Sequence, residues 1–551
     1  MLFMYNNETQ VDMPVLNHEF QEGGIYPSEN EEVLRRIAKY KRGKMYFQGK
    51  QEELFERASE VLKGTKHEPY LKTLYIACNL QDILLTKPAD LMFGEPPIYD
   101  LSQPDDSPTK QTLNEIVKRN RLNKLGHELV VAGGYRGDSW LKVRYGYRED
   151  FSEVPKELLP EGVSVEEFLG AEMEPIIESV PAEFVFPEES PRDRTKFKAI
   201  NIAFIEWQLE GKEEVPYLFV ERHVPGFIMY SRFRVTPLDT QKIDGVPITM
   251  YRIQEQVSTG LEQDIVPTKL NYIPIWHVPY KSVDDDWQGI SFIEKVESVI
   301  QAINDRLVQI DYILWKHGDP PAYGPRLTSN NNDKTVNWAG RYIPLDKDQP
   351  EPGYMQFDSR LEGQFKELDY LVNILFQMAE TPQWLFGTTI TENSGGTGTS
   401  HTDGVAIQAR FMPILSKVKR IRVHIDHAFK NALKAALELK AKNEPDSGVV
   451  PEEPIIHWKD GLPKNKKEEA EIMAIRTGDK PTLDVKNAIK RLDEVEDGIA
   501  EQIIQAIQED ETRMVPQMNP SFPLEEATTN EWEEEDESED QATESEEGGG
   551  E

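Results

Sequence analysis

Residues 287–318 read WQGISFIEKVESVIQAINDRLVQIDYILWKHG. Ile293, Val296, Ile300, Ile303, Leu307, Ile310 and Leu314 alternate steps of three and four, so all seven fall on one seam of a helix about 40 Å long. A seam of that length has to pack lengthwise against another helix. The mate follows at 359–387, SRLEGQFKELDYLVNILFQMAETPQWLFG, where Leu361, Phe365, Leu368, Val372, Leu375 and Ala379 share a face. Pro382 and Gly387 end that pattern. Between the two helices, residues 319–357 are rich in Pro, Gly, Asn and Asp, with short strand-like pieces such as GRYIPL. They predict a compact module interrupting the helices.

A third helix is predicted over about 403–443, with Ile414, Val418, Ile421, Ile425, Ala428, Ala432, Ala435 and Leu439 on one stripe. Thr402 or Asp403 can cap its start, and Pro413 inside it predicts a kink. Its basic residues, Arg410, Lys417, Lys419, Arg420, Arg422, Lys430, Lys434, Lys440 and Lys442, outnumber Asp426 and Glu438. Such a face can be solvated, can pair with acidic surface on another subunit, or can turn toward DNA.

Upstream, residues 29–63 carry helical spacing, and YLKTLYIACNLQDILLTKPADLMFG (70–94) reads as an amphipathic helix stopping at Gly94. From about 129 to 280 the pattern shifts to alternation and β-branched or aromatic runs. ELVVAGGYRGDSWLKVRYGY, KAINIAFIEWQLEG, VPYLFVERHVPGFIMYSRFRV and YIPIWHVPY predict antiparallel strands joined by polar turns. No internal repeat of fixed period is present.

The chain of 551 residues is 38% hydrophobic and carries a formal net charge of −36, with 62 Lys and Arg against 98 Asp and Glu. Such a balance argues against a broad clamp on a DNA backbone, which needs clustered cations. Part of the excess lies in 525–551, EEATTNEWEEEDESEDQATESEEGGGE, which has no Lys or Arg and predicts a solvated, disordered tail or one that engages a basic partner. Cys78 is the lone cysteine, so no internal disulfide is possible, as expected of a reducing cytoplasm. The N-terminus shows no basic region followed by an apolar run, and no 18 apolar residues run together, so neither a signal peptide nor a membrane span is expected.

Between the second and third helices lies TTITENSGGTGTSHTDGVAIQ, residues 388–408. Its glycines evoke a phosphate loop, but a P-loop needs G-x-x-x-x-G-K-[ST], and the lysine and the preceding strand are missing. His424 and His427, one turn apart, lack an evident third metal ligand. Asp284, Asp285 and Asp286 precede a helix start, where acids are favoured without any cation. There is no H-E-x-x-H, no G-x-S-x-G and no nucleophile with a base, so no enzyme, metal or cofactor is expected.

Four stretches together resemble the portal proteins of tailed bacteriophages, in particular the group from phages of Gram-positive hosts. They are NLQDILLTKPADLMFGEPPIYD (79–100), YIPIWHVPYKSVDDDWQGISFIEKVESVIQAINDRLVQIDYILWKHGDPPAYGP (272–325), AETPQWLFGTTITENSGGTGTSHTDGVAIQARFMPILSKVKRIRVHIDHAFKNALKAALEL (379–439) and IIHWKDGLPKNKKEEAEIMAIRTGDKPTLDVKNAIKRL (455–492). The resemblance spans most of 70–510, but 100–270 matches only in general character, and it rests on the order of segments rather than on a catalytic signature.

What the resemblance implies is an α+β, portal-type ring subunit. Residues 1–289 would be the N-terminal arm and β-containing wing, 290–317 and 359–386 the two stem helices, and 318–358 the clip. Residues 387–403 would be the tunnel loop, 404–443 the long kinked helix, 444–523 the wing edge and helical crown, and 524–551 the disordered acidic tail. The ring, usually of twelve copies at a capsid vertex, would pass double-stranded DNA without reading its sequence. Its partners would be the terminase large subunit, the major capsid and scaffolding proteins, and a head-completion or adaptor protein, with assembly in the host cytoplasm. Within the tunnel loop, Asn393, Ser394, Gly395, Gly396, Thr397, Gly398, Thr399 and Ser400 would brush the duplex through weak, exchangeable hydrogen bonds on a pliable backbone. In the clip, Arg326, Lys334, Arg341 and Lys347 would meet partners or entering DNA. The residues alone leave open a flexible surface loop between helices, and a non-viral helical scaffold or adaptor binding another protein.

Overall fold

The computed structural model describes residues 20–50, 78–104, 106–151, 154, 160, 165–191, 193–261, 263–284, 286–317, 322–325, 342–345, 353–354, 361–386, 404–459, 461, 466–478, 481–493 and 497–514. The chain forms two units, residues 1–462 and 463–551, and mixes helices with mainly antiparallel sheets.

The first unit opens with β1 (Ile25–Tyr26) and α1 (Glu31–Phe47). Asn30 caps α1 by accepting from the Glu32 amide at 3.0 Å, and Glu31 and Glu32 lie at the positive end of the helix dipole. Next come α2 (Leu80–Phe93), β2 (Ile98–Asp100), α3 (Pro108–Arg119) and α4 (Leu122–Arg136). The expected one-sided helix over 70–94 is corrected on its described part. α2 buries Gln81, Leu84, Leu85, Pro88, Ala89, Leu91, Met92 and Phe93, and so is covered on several sides. Residues 70–77 lie outside the described set.

The strand pattern expected from about residue 129 is also corrected, because 129–136 belong to α4 and extended backbone begins at β3 (Asp138–Gly146). Two glycines explain the difference. A Cβ on Gly126 would lie 2.2 Å from the Phe93 ring, and one on Gly134 2.5 Å from Leu85. These bare positions let α4 press against α2, a tertiary gain that outweighs the helix propensity lost at each glycine.

The strands continue, after a short helix α5 (Val165–Leu169), with β4 (Glu174–Val180), β5 (Val185–Ser190), β6 (Asp193–Glu210), β7 (Glu213–Val224), β8 (Phe227–Ile243), β9 (Val246–Val257), β10 (Ile265–Pro267) and β11 (Ile275–Pro279). A seven-stranded sheet has the order β1-β9-β8-β7-β6-β5, with β10 on β8, and a second sheet has the order β11-β3-β4. Every pairing in both is antiparallel. The inward face of the large sheet packs Leu218, Val220, Phe233 and Val235 against Leu34, Ile37 and Ala38 of α1.

The helical region holds α6 (Phe292–His317), α7 (Glu362–Met378) and α8 (Gly404–Asn443). α8 runs on through Pro413 as a single helix. Between α6 and α7, β12 (Ala322–Pro325) pairs in parallel with β13 (Tyr342–Leu345) and antiparallel with β14 (Gly353–Tyr354). All eight stripe residues of α8 are buried, in one core shared with α2, α4, α6 and α7. β15 (Ile455–His457) returns to pair with β2 and closes the unit. The second unit contains α9 (Lys466–Thr477), α10 (Val485–Asp493) and α11 (Asp497–Met514), in which Lys486 pairs with Glu501 at 2.7 Å.

Candidate functional site

Asp138, the first residue of β3 and fully buried, is the centre of a joint between sheet and helices. Its Oδ2 accepts from the Tyr40 hydroxyl at 2.8 Å, and its Oδ1 lies 2.7 Å from His277 Nε2 and accepts from the Gly289 amide at 2.6 Å. One carboxylate thereby ties α1, β11 and the lead-in to α6. Burial, and next the Asp138 charge, push the Tyr40 hydroxyl far above its usual range. The joint also needs its glycines. Gly137 has φ +98°, and a Cβ on it would lie 2.5 Å from the Gly289 carbonyl oxygen, while one on Gly289 would lie 2.2 Å from that of Gly137. Lys39 Nζ donates to the Gly289 carbonyl at 2.7 Å from the other side.

Ser291 starts α6, its Oγ accepting from the Glu294 amide at 2.9 Å. Along the α6 seam Ile293, Val296, Ile300, Ile303 and Ile310 are buried and Leu307 is half-buried, but Leu314 is 51% exposed. On α7, Val372 and Leu375 are buried, Leu361 and Leu368 are half-buried, and Phe365 is 47% exposed. The apolar contact is thus complete near the joint and incomplete at the far ends of the pair. Arg306 of α6 pairs with Glu367 of α7 across it.

The C-terminal end of α7 is a Schellman turn. The Thr381 amide donates to the Phe376 carbonyl at 3.1 Å and the Glu380 amide to that of Gln377 at 3.0 Å. The left-handed position, where glycine is usual, holds Glu380 at φ +53°. Its carboxylate accepts from Arg420, and the neighbouring Ala379 carbonyl accepts from Lys417 Nζ at 3.0 Å. Two cations of α8 therefore hold the end of α7.

The basic stripe of α8 is largely engaged within the chain. Arg422 donates to the Lys459 carbonyl at 3.1 Å and lies 5.3 Å from the centre of the Trp458 ring. Lys430 pairs with Asp426 at 2.7 Å, Lys440 with Glu444 at 2.6 Å, and Lys442 donates to the Lys269 carbonyl at 2.9 Å. The stripe is not, as a whole, free to grip a phosphate backbone. His427 Nε2 lies 3.2 Å from Asn431, and burial, then the nearby His277 and His427, lower the pKa of His424. Among the described residues no three His, Cys, Asp or Glu are grouped to hold a metal. Asp286 accepts from the Gln288 amide at 3.0 Å, a local turn. Cys78 is half-buried, and burial raises its thiol pKa.

The predicted tunnel residues Asn393 to Ser400, the predicted clip residues Arg326, Lys334, Arg341 and Lys347, the capping pair Thr402 and Asp403, and the acidic tail all lie outside the described residues. Sequence reasoning missed Asp138 with its partners Tyr40 and His277, and Glu380. Only the glycine before Asp138 gave any signal, since the others sit in ordinary helix, strand and turn contexts.

Residues 29–154 match the family model described as "Phage portal protein, SPP1 Gp6-like". The match covers α1 through β3, the joint residue Asp138 included. It overlaps one of the four stretches that carried the resemblance, 79–100, and lies N-terminal to the other three. No curated protein matches the chain. A solved structure described as "Virion of native gene transfer agent (GTA) particle" is similar at 11% identity and TM-score 0.38, over 78% of this chain and 94% of that chain. Another, "Neck of native GTA particle computed with C12 symmetry", is similar at 12% identity and TM-score 0.35, over the same shares. Through residues 29–154, the resemblance of this chain to the phage portal protein family is borne out.

Proposed function

We propose that this chain is a portal subunit, copies of which close into a ring at a capsid vertex, through which double-stranded DNA enters and later leaves. The observation that carries the reading is the family match over residues 29–154. The unfinished burial of the α6–α7 pair supports it, because Leu314, Phe365 and Tyr370, 51%, 47% and 66% exposed, are apolar or aromatic groups that a neighbouring copy would cover. Twelve copies is the number the resemblance implies.

In this reading α6 and α7 form the stem, and residues 318–358 form the clip that meets the terminase and later a head-completion protein. The strap, 387–403, uncharged from Asn393 to Ser400, touches the moving duplex, and charged donors there would hold phosphate and raise the friction of each step. The net charge of −36 leaves the channel wall repulsive to DNA and keeps the duplex centred. The subunit carries out no chemistry itself, and the motor ATPase is a separate protein.

Electron microscopy of the purified protein, viewed down its axis, tests the reading. Rings with a central opening are expected, and a preparation of solitary or paired particles under every assembly condition refutes it. For the strap, photo-cross-linkers at Ser394 or Thr399 should capture packaged DNA. Adducts at other channel positions but none at these two would remove the strap from the channel.

A further inference from the structure

A cavity of about 550 Å³ opens where the start of α6, the end of α7 and the middle of α8 meet. Its wall carries four cations, Lys281, Lys295, Lys417 and Arg420, against one carboxylate, Glu380, which leaves three positive charges in excess when all are ionised. That carboxylate is already shared with Arg420. Lys417 is only 6% exposed and has its ammonium 3.0 Å from the Ala379 carbonyl oxygen and 4.7 Å from the centre of the Phe292 ring. Neither neighbour carries a compensating negative charge.

Two further observations point to a ligand. Tyr280 also lines the cavity, and its hydroxyl is buried without a hydrogen-bond partner, which is costly for a group that can both donate and accept. The positive end of the α6 dipole also faces the cavity through Ser291 and Phe292. The lysines register the strain. Burial lowers the Lys417 pKa to about 7, with the Glu380 charge opposing the shift and Arg420 and Lys295 adding to it, and desolvation, with the adjacent Lys281 ammonium, lowers that of Lys295 to about 8 against the same Glu380 charge. Cations held together at this cost are stabilised by an anion bearing several oxygens. A single carboxylate would leave two of the three excess charges unmatched.

We propose that this cavity binds a phosphate-class oxyanion, supplied as free phosphate or as a phosphate of a polynucleotide. Lys281, Lys295 and Lys417 give charge and N–H donors, Arg420 gives a planar fork, and Tyr280 gives the hydroxyl that now lacks a partner. The site is independent of the ring and stands whether or not copies assemble.

Calorimetric titration of the full chain with inorganic phosphate, against sodium chloride at matched ionic strength, tests the proposal. Saturable binding of one phosphate per chain is expected, with proton uptake near pH 8 revealed by buffers of different ionisation enthalpy. Lys281 and Lys295 have exposed side chains, so the double variant Lys281→Ala/Lys295→Ala should keep its fold and weaken binding roughly tenfold or more. A short DNA duplex forms the second arm. Duplex binding that phosphate displaces and the double variant loses assigns the phosphate to the polynucleotide. No saturable binding of either ligand above the chloride control overturns the proposal. So does a double variant that loses only self-association while phosphate never binds, since the cavity would then receive a carboxylate of another copy.

Discussion

Asp138 Oδ1 accepts a hydrogen bond from the Gly289 amide at 2.6 Å, across 151 residues of sequence. This bond anchors the chain just before α6 to a buried carboxylate at the start of β3. Asp138→Ala removes an acceptor used by Tyr40, His277 and Gly289 together. It should destabilise the protein by about 3 kcal/mol or more, read as a lower urea midpoint at unchanged slope.

Gly137 and Gly289 stand backbone to backbone, and the first has φ +98°. Gly137→Ala meets both a wrong-handed backbone and a carbonyl oxygen, so a loss of about 3 kcal/mol or more is expected. Gly134→Ala meets only the Leu85 methyl and should cost about 1–3 kcal/mol. Thermal midpoints of the two variants, measured side by side, check the order.

Glu380 occupies a left-handed position and pairs with Arg420 at an exposed site. Glu380→Gly relieves the backbone while losing a pair worth at most about 1 kcal/mol, and Glu380→Ala loses the pair and keeps the strain. The glycine variant should therefore be the more stable of the two by about 1 kcal/mol. Equal stabilities in chemical denaturation would show that the turn is not strained.

A buried cluster makes stability fall with acid. Glu221 of β7 lies 3.1 Å from His223 Nε2 and 3.1 Å from Lys142 Nζ of β3. Burial raises the Glu221 pKa, but the His223 hydrogen bond and the Lys142 charge outweigh it, lowering the pKa from 4.5 to about 2. Its contribution is present above pH 4.5 and is lost as pH falls toward 2. His223 has its pKa lowered by burial, so the unfolded chain takes up its proton first, and stability begins to fall below pH 6.5. His223→Gln should remove the fall in thermal midpoint that begins below pH 6.5, while Lys142 still sustains a loss below pH 4.5, as a melting series across pH would record.

Leu375 is fully buried, whereas Leu314 is half-exposed on the same helix pair. Leu375→Ala should cost about 2–5 kcal/mol in the single chain. Leu314→Ala should stay within about 0.5 kcal/mol there and, on the portal reading, weaken ring assembly. Sedimentation velocity beside chemical denaturation separates the two effects.

The sequence by itself determined the helices with long apolar seams, because spacings of three and four reach one face whatever lies opposite. That is why the α6 seam is covered from Ile293 to Ile303 and the whole α8 stripe is buried as their spacing predicts, and why β8 and β9 alternate. It also carried the family resemblance, through the order of its segments. Only the tertiary structure decided the rest. The glycines of α4 read as a break until Phe93 and Leu85 are seen to need their bare faces. The cations of α8 read as one stripe until Asp426, Glu444, Glu380 and several carbonyls claim them singly. The Asp138 joint and the cavity around Lys417 gather residues from distant parts of the chain, and local spacing holds no record of that proximity.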